Sequence, residues 1–204
     1  VREREVVGRL SGARDYGRVL AVYDEEIDTL FGLTPESPAL GVLRAERQAL
    51  RQQRDELQPA ALEIWKSGVY GTPFLEVFLS NYPDATEAPA VHLALGEAYA
   101  RTARQADAVD QFLHAWKADP EGPSGEAARR GLRNLAPALD QLSALAELAE
   151  QEQDADLRRL AEERLSRQAA SYSDLADGAA YIAKYPTGAY VEAVTLRLNA
   201  LAEG

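Results

Sequence analysis

Only two histidines occur, His92 and His114, and there is no cysteine, so imidazole chemistry has two places to reside and thiolate chemistry none. The missing cysteine excludes a disulfide framework, a thiolate zinc site and a cysteine nucleophile. The histidines stand 22 residues apart, on different helices of one helical hairpin, at a spacing that fits no metal motif. His92 occupies a packing position and His114 lies beside Ala115 and Trp116, so both read as packed or surface imidazoles. The chain has no G-x-G-x-x-G, P-loop, G-x-S-x-G or H-E-x-x-H, and its carboxylates are spread over surface-like helix positions. No residue is therefore assigned a catalytic, cofactor-binding or metal-binding role, no cofactor is expected, and a helical enzyme or metal-binding domain is the minor alternative.

The remaining charged clusters point to surfaces. Asp24, Glu25 and Glu26 form an acidic run that reads first as a solvated face and second as an attraction for a basic partner or a cation. Arg44, Arg47, Arg51 and Arg54 interleave with Glu46, glutamine and leucine, the pattern of a solvated helix face. A net charge of -11 and a pI near 4.7 repel phosphate, so no nucleic-acid partner is expected. No apolar run approaches the roughly 20 residues that cross a bilayer, so direct membrane insertion of this segment is not expected either. VREREVVGRL lacks a signal peptide's apolar stretch. With no methionine present, the segment reads as a processed or truncated piece, which leaves its compartment open.

Helical spacing accounts for the elements that must carry these groups. Val1–Phe31 reads as two helices broken near Ser11 and Gly12, with Leu10, Tyr16, Leu20, Tyr23 and Ile27 in an apolar stripe. Gly32, Pro35 and Pro38 punctuate the next interruption, and Ser37 can cap a helix over Pro38–Leu57, whose stripe includes Leu40, Leu43, Leu50 and Leu57. Ala60–Ser67 follows, with Trp65 in the core, and GVYGTP then forces a turn. Leu75, Phe78, Leu79 and Tyr82 give Phe74–Tyr82 its stripe, stopped at NYPD. Later helices are expected over Gly125–Leu135, which carries Arg129, Arg130 and Arg133, and over Pro137–Gln151 and Asp154–Gln168. The last two have leucine and alanine faces suited to intramolecular packing. No period-two pattern is sustained, so the fold class is all-α.

Ala88–Pro120 is the densest pattern. Leu95, Gly96 and Tyr99 share one helix face, Ala108, Phe112 and Ala115 stack on a second helix, and Pro120 ends it. Gly96 and Ala108 let the two helices approach while Tyr99 and Phe112 fill the surrounding space. Tyr181, Ile182 and Tyr185-Pro186 reproduce Phe78, Leu79 and Tyr82-Pro83 at an offset of 103 residues. Ala193, Val194, Leu196 and Leu198 continue the match to Ala90, Val91, Leu93 and Leu95. A duplicated helical unit is the economical explanation, and three units of about 34 residues fit that offset with one residue over.

Leu95-Gly96, Tyr99, Ala108, Phe112, Ala115 and Pro120 resemble the tetratricopeptide pattern, with His92 where a large aromatic residue is usual. The resemblance implies antiparallel helical hairpins stacked as a right-handed solenoid with divergent repeats. Residues 1–204 would then be a single domain whose best repeat is 88–121, with an N-terminal subregion at 1–67 and degenerate repeats over 124–204. It also implies a non-enzymatic scaffold or adaptor for a peptide or protein segment, held in a concave groove lined by Ala90, Leu93, Glu97, Ala100 and Arg101. The lysine and asparagine of the carboxylate clamp that some relatives carry are replaced here by Leu93 and Glu97. A self-associating structural module, hence a homo-oligomer, is the alternative. The Tyr-Pro stops followed by alanine-rich helices are similar to tetratricopeptide-type proteins of bacterial cell envelopes, including outer-membrane assembly lipoproteins. That likeness points to the periplasm or cell envelope, with the cytoplasm as the alternative.

Overall fold

Prolines start more of these helices than they stop. The computed structural model describes residues 2–10, 16–151 and 153–203, and among them every regular element is helical. The helices are α1 (Arg2–Leu10), α2 (Tyr16–Leu33), α3 (Pro38–Asp55), α4 (Gln58–Ser67), α5 (Thr72–Asn81), α6 (Ala88–Arg101), α7 (Gln105–Ala118), α8 (Pro123–Leu135), α9 (Leu142–Ala149), α10 (Ala155–Ala169), α11 (Leu175–Lys184) and α12 (Val191–Glu203). The all-α class expected from the spacing is what forms. Pro59, Pro73 and Pro123 fall in the first turns of α4, α5 and α8, where a missing N–H breaks no helical bond. Those helices therefore begin before the residues at which the sequence pattern places them. Ser37 does occupy the N-cap of α3, but with no capping bond from its side chain. Ser11, Gly12 and the side chain of Leu10 lie outside the described residues.

Two compact units divide the chain, Val1–Leu95 and Gly96–Gly204, and α6 contributes residues to each. In the first, α2 pairs with α3, α5 packs on α1 and α2, and α4 packs on α1 and α3. Its core holds Val6, Tyr16, Leu20, Ile27, Leu40, Ile64, Phe74 and Phe78. Aromatic rings every fourth residue line α5: Tyr70 to Phe74 at 5.7 Å, Phe74 to Phe78 at 5.9 Å and Phe78 to Tyr82 at 5.4 Å between centroids. Trp65, read as core, is half-buried and stacks on Tyr70 at 5.1 Å. Gly17 is the contact point of α2 with α5. A Cβ there would stand 1.9 Å from the Ser80 carbonyl oxygen. The Gly17 N–H donates to Oδ1 of the fully buried Asn81 at 3.0 Å, and Asn81 in turn donates to Val77 O at 2.8 Å.

In the second unit α7 pairs with α8, α9 with α10 and α11 with α12. The Phe112 ring is clasped between two glycines. A Cβ on Gly96 would meet it at 2.7 Å and one on Gly131 at 2.9 Å. In the first half of that clasp Phe112, expected to fill the space around the Gly96 and Ala108 approach, stands directly against Gly96. Its second half, on α8, had no counterpart in the pattern. The helix expected over Pro137–Gln151 is replaced by a 3₁₀ turn, Ala136–Ala138, an extended Leu139, and then α9. The reason is tertiary: the N–H of Leu142, at the start of α9, donates to the Asp177 carboxylate of α11 at 2.8 Å.

One connector recurs three times. Tyr82, Asp119 and Tyr185 each precede a proline, and each leaves the helix with nearly the same backbone: φ/ψ of -131/56, -140/63 and -125/61. A following proline bars the α conformation, which accounts for the shared exit. Each donates its N–H to the carbonyl four residues back (Phe78, Ala115 and Tyr181, at 2.8, 3.1 and 2.8 Å). Each accepts from the N–H three residues on (Ala85, Gly122 and Gly188, at 3.1, 3.3 and 3.0 Å). The first and third copies match further: Ala88 to Ala85 corresponds to Val191 to Gly188, and Val91 to Glu87 corresponds to Val194 to Tyr190. Every pair keeps the 103-residue offset. The middle copy is tighter, since a Cβ on Gly125 would lie 1.9 Å from the Asp119 carbonyl oxygen.

Candidate functional site

The groups with most chemical potential are occupied by their neighbours. His114 is exposed, its Nε2 3.5 Å from Asp110 Oδ1 one turn earlier on α7, and His92 is half-buried on α6. Among the described residues no group of three histidines or carboxylates is arranged to hold a metal ion. The arginines of α3 are engaged within the first unit. Arg47 and Arg51 pair with Asp24, Arg54 pairs with Asp55 at 2.8 Å, and the guanidinium of Arg44 lies 5.9 Å from the Phe31 ring centroid. On α8, Arg129 lies over Trp116 and Arg133 reaches Asp154 at 2.7 Å.

A polar recess of about 240 Å³ in the second unit includes Asp140, Gln168, Tyr172, Asp174 and Asp177 in its lining. These groups hold the fold. Asp140 binds Arg164 and Gln168, Asp174 caps α11 through Ala176 N at 2.8 Å, and Tyr172 donates its hydroxyl hydrogen to Val194 O at 2.6 Å. Burial pushes the Asp177 carboxyl above its ordinary range, and the amides of Leu142 and Ser143 only partly offset this. Asp154 shows the opposite balance. Burial raises it, but the Arg133 hydrogen bond, the Leu157 N–H at 3.0 Å and the charges of Arg133 and Arg129 together hold it below the usual carboxylate range.

The five residues assigned to a concave groove all lie on α6. Ala90, Leu93 and Ala100 are half-buried, while Glu97 and Arg101 are exposed and face one another at 4.0 Å, one helical turn apart. Ala90 and Leu93 belong to the first unit; Glu97, Ala100 and Arg101 belong to the second.

An open groove of about 530 Å³ lies instead on the α2–α3 hairpin of the first unit. Val22, Leu30 and Leu33 of α2 and Leu43 of α3 line it with hydrocarbon, Thr29 adds a hydroxyl, and Glu25 and Glu26 supply charge. At about 100° per residue, Val22, Glu26, Thr29 and Leu33 fall within one narrow stripe, roughly 140° around the helix from the buried Leu20–Ile27 line. Helical geometry therefore turns them away from the core that α2 helps to form. Leu33 is 77% exposed and Val22 48%, although burial is the usual fate of such side chains. Asp24 is neutralised by α3, whereas Glu25 and Glu26 have no ion pair among the described residues. Glu46, across the same hairpin, accepts the Tyr23 hydroxyl at 2.9 Å, and that bond, with burial and the charges of Glu46 and Glu26, raises the phenol above its ordinary value.

The stripe read from the sequence, with Tyr16, Leu20 and Ile27, is the buried face of α2. Val22, Thr29, Leu30 and Leu33 were missed because they lie off it, whereas Glu25 and Glu26 belong to the acidic run and Leu43 to the α3 stripe already read from the sequence. The available signal was the surplus: α2 carries Val22, Leu30 and Leu33 beyond what one core-facing stripe can absorb. Comparison of the chain with family models, curated proteins and solved structures gives no match.

Proposed function

We propose that this chain is a non-enzymatic protein-interaction scaffold that holds a peptide or protein segment, built as a tetratricopeptide-like array of antiparallel hairpins stacked in a right-handed solenoid with divergent repeats. The observation that carries the binding role is the groove on α2 and α3, where aliphatic side chains are left open to solvent beside two carboxylates that have no ion pair among the described residues. Repeat character is supported by the connector that recurs at Pro83, Pro120 and Pro186, 37 and then 66 residues apart, close to one and two units of about 34. On the tetratricopeptide likeness, the α6 set Ala90, Leu93, Glu97, Ala100 and Arg101 is a further docking face.

Affinity capture from the source lysate, with wild type compared against Leu33→Asp and against a Leu93→Glu/Arg101→Ala double variant, tests this reading. A protein retained by wild type and lost with either variant supports the scaffold and says which face is used. Identical retention by all three chains overturns it.

A further inference from the structure

We infer that the occupant of the α2–α3 groove is a basic amphipathic helix, one with an apolar stripe flanked by lysine or arginine. The inference rests on the scaffold reading and adds the chemistry of the partner. A groove lined by Val22, Leu30, Leu33 and Leu43 takes side chains repeating at i, i+3, i+4 and i+7, the spacing that places an apolar edge along a helix. Aliphatic lining alone does not choose among apolar partners. The choice is made by charge.

Charges are sorted across this hairpin. On one side Asp24 is held by two guanidinium groups, Arg47 and Arg51, so no negative charge is left over there. Toward the groove stand Glu25 and Glu26, both exposed and with no cationic partner among the described residues. An acidic helix brought to this groove would set like charges together as the apolar surfaces closed. A basic one supplies the counter-charges for Glu25 and Glu26. The chain's net charge of -11 adds long-range attraction for the same class of partner. A second copy of this chain would bring its own Glu25 and Glu26 to any symmetric contact through this face.

The test uses the whole chain and three synthetic labelled helices of about 18 residues. One carries a leucine stripe with lysine flanks, one carries the same stripe with glutamate flanks, and the third has the lysine composition scrambled so that no stripe forms. Binding is read by fluorescence anisotropy at low and physiological ionic strength. The variants are Glu25→Lys/Glu26→Lys, Val22→Asp/Leu33→Asp, and a charge-matched control, Glu162→Lys/Glu163→Lys, at exposed positions of α10. Far-UV circular dichroism shows that each variant stays folded.

The expected result is that the lysine helix binds best. The Glu25/Glu26 variant weakens it roughly tenfold, more at low salt than at high, and the Val22/Leu33 variant weakens it further, while the α10 control leaves it unchanged. If the lysine and glutamate helices bind alike and both are lost with Val22→Asp/Leu33→Asp, the basic partner is wrong and the apolar docking site stands. Binding indifferent to Val22→Asp/Leu33→Asp overturns the site itself. A concentration-dependent mass by ultracentrifugation that Leu33→Asp abolishes replaces the basic helix with a second copy.

Discussion

The two units keep their helices together by different means, and they leave different surfaces behind. In the first, a ladder of aromatic rings along α5 and a single buried amide, Asn81, hold the α2 contact, while the α2–α3 hairpin leaves Val22, Phe31, Leu33 and Val42 exposed. In the second, Phe112 is seated between Gly96 and Gly131, and carboxylates tie down helix starts: Asp177 from 35 residues away at α9, and Asp154 as the N-cap of α10. Leu175 and Leu196 are its exposed large apolar side chains among the described residues. The polar groups at those helix starts are committed to the fold. Where a hairpin is stabilised mainly on one face, the other face is free to vary.

Mutations can sharpen that contrast. The largest effect is expected from Phe112→Ala, which empties a ring-shaped space between two helices whose glycines cannot fill it. A loss of about 4 kcal/mol is expected in urea titration. Hydrogen exchange should show α7 and α8 losing protection first; protection that fell first in α2 and α3 would break the assignment of this contact to the second unit. Gly17→Ala comes next, because a methyl group 1.9 Å from a backbone oxygen forces α2 off α5. About 3 kcal/mol is expected, with the early loss of protection now in the first unit.

Acid titration separates Asp154 from Asp177, both in the second unit. Asp154 has a lowered pKa in the folded state, so its contribution is fully present above the ordinary carboxylate value of about 4 and is lost as pH falls through the lowered one. Asp154→Ala should cost about 2 kcal/mol at neutral pH by removing a cap and an ion-pair partner, and the gap to wild type should close in acid. Asp177 runs the other way. Its folded-state pKa is raised, so folding favours its protonated form relative to the unfolded chain, and that contribution is lost as pH rises through the folded-state value. Asp177→Asn keeps an oxygen for the Leu142 N–H without the charge, and should raise stability at neutral pH by less than about 1 kcal/mol. An unchanged thermal midpoint in both Asp177→Asn and Asp154→Ala would remove the electrostatic half of the contrast.

The smallest effect on stability belongs to the residue with the largest expected effect on binding. Leu33→Asp changes an exposed side chain and should leave the melting curve within about 0.5 kcal/mol of wild type.

What could be read in advance followed from the range of the forces involved. Buried Tyr16, Leu20 and Ile27 and the all-helical class are consequences of spacing within one or two turns, whereas Phe112 in the space beside Gly96 was legible only through the pattern that sets α6 and α7 together. Gly17 and Gly131 were silent, because a glycine demanded by another helix's backbone or ring looks like any other glycine in its own. The start of α9 was misplaced for a related reason, since its first amide is satisfied by Asp177, 35 residues away. The α2–α3 groove was half legible: its acidic run was visible, whereas its apolar lining was hidden among residues that any amphipathic helix contains.

The recurrent proline connector makes the chain modular at the level of about ten residues. Because the bonds at Tyr82, Ala85, Ala88 and Val91 map one for one onto those at Tyr185, Gly188, Val191 and Val194, either segment supplies a prefabricated joint that sets the exit of one helix and the first turns of the next. Two of the three joints lie inside helical hairpins, between α7 and α8 and between α11 and α12, so each fixes how one helix turns back along the next. For a protein engineer that is a corner whose geometry is set by the backbone and one proline, and so can be kept while the helices on either side are changed.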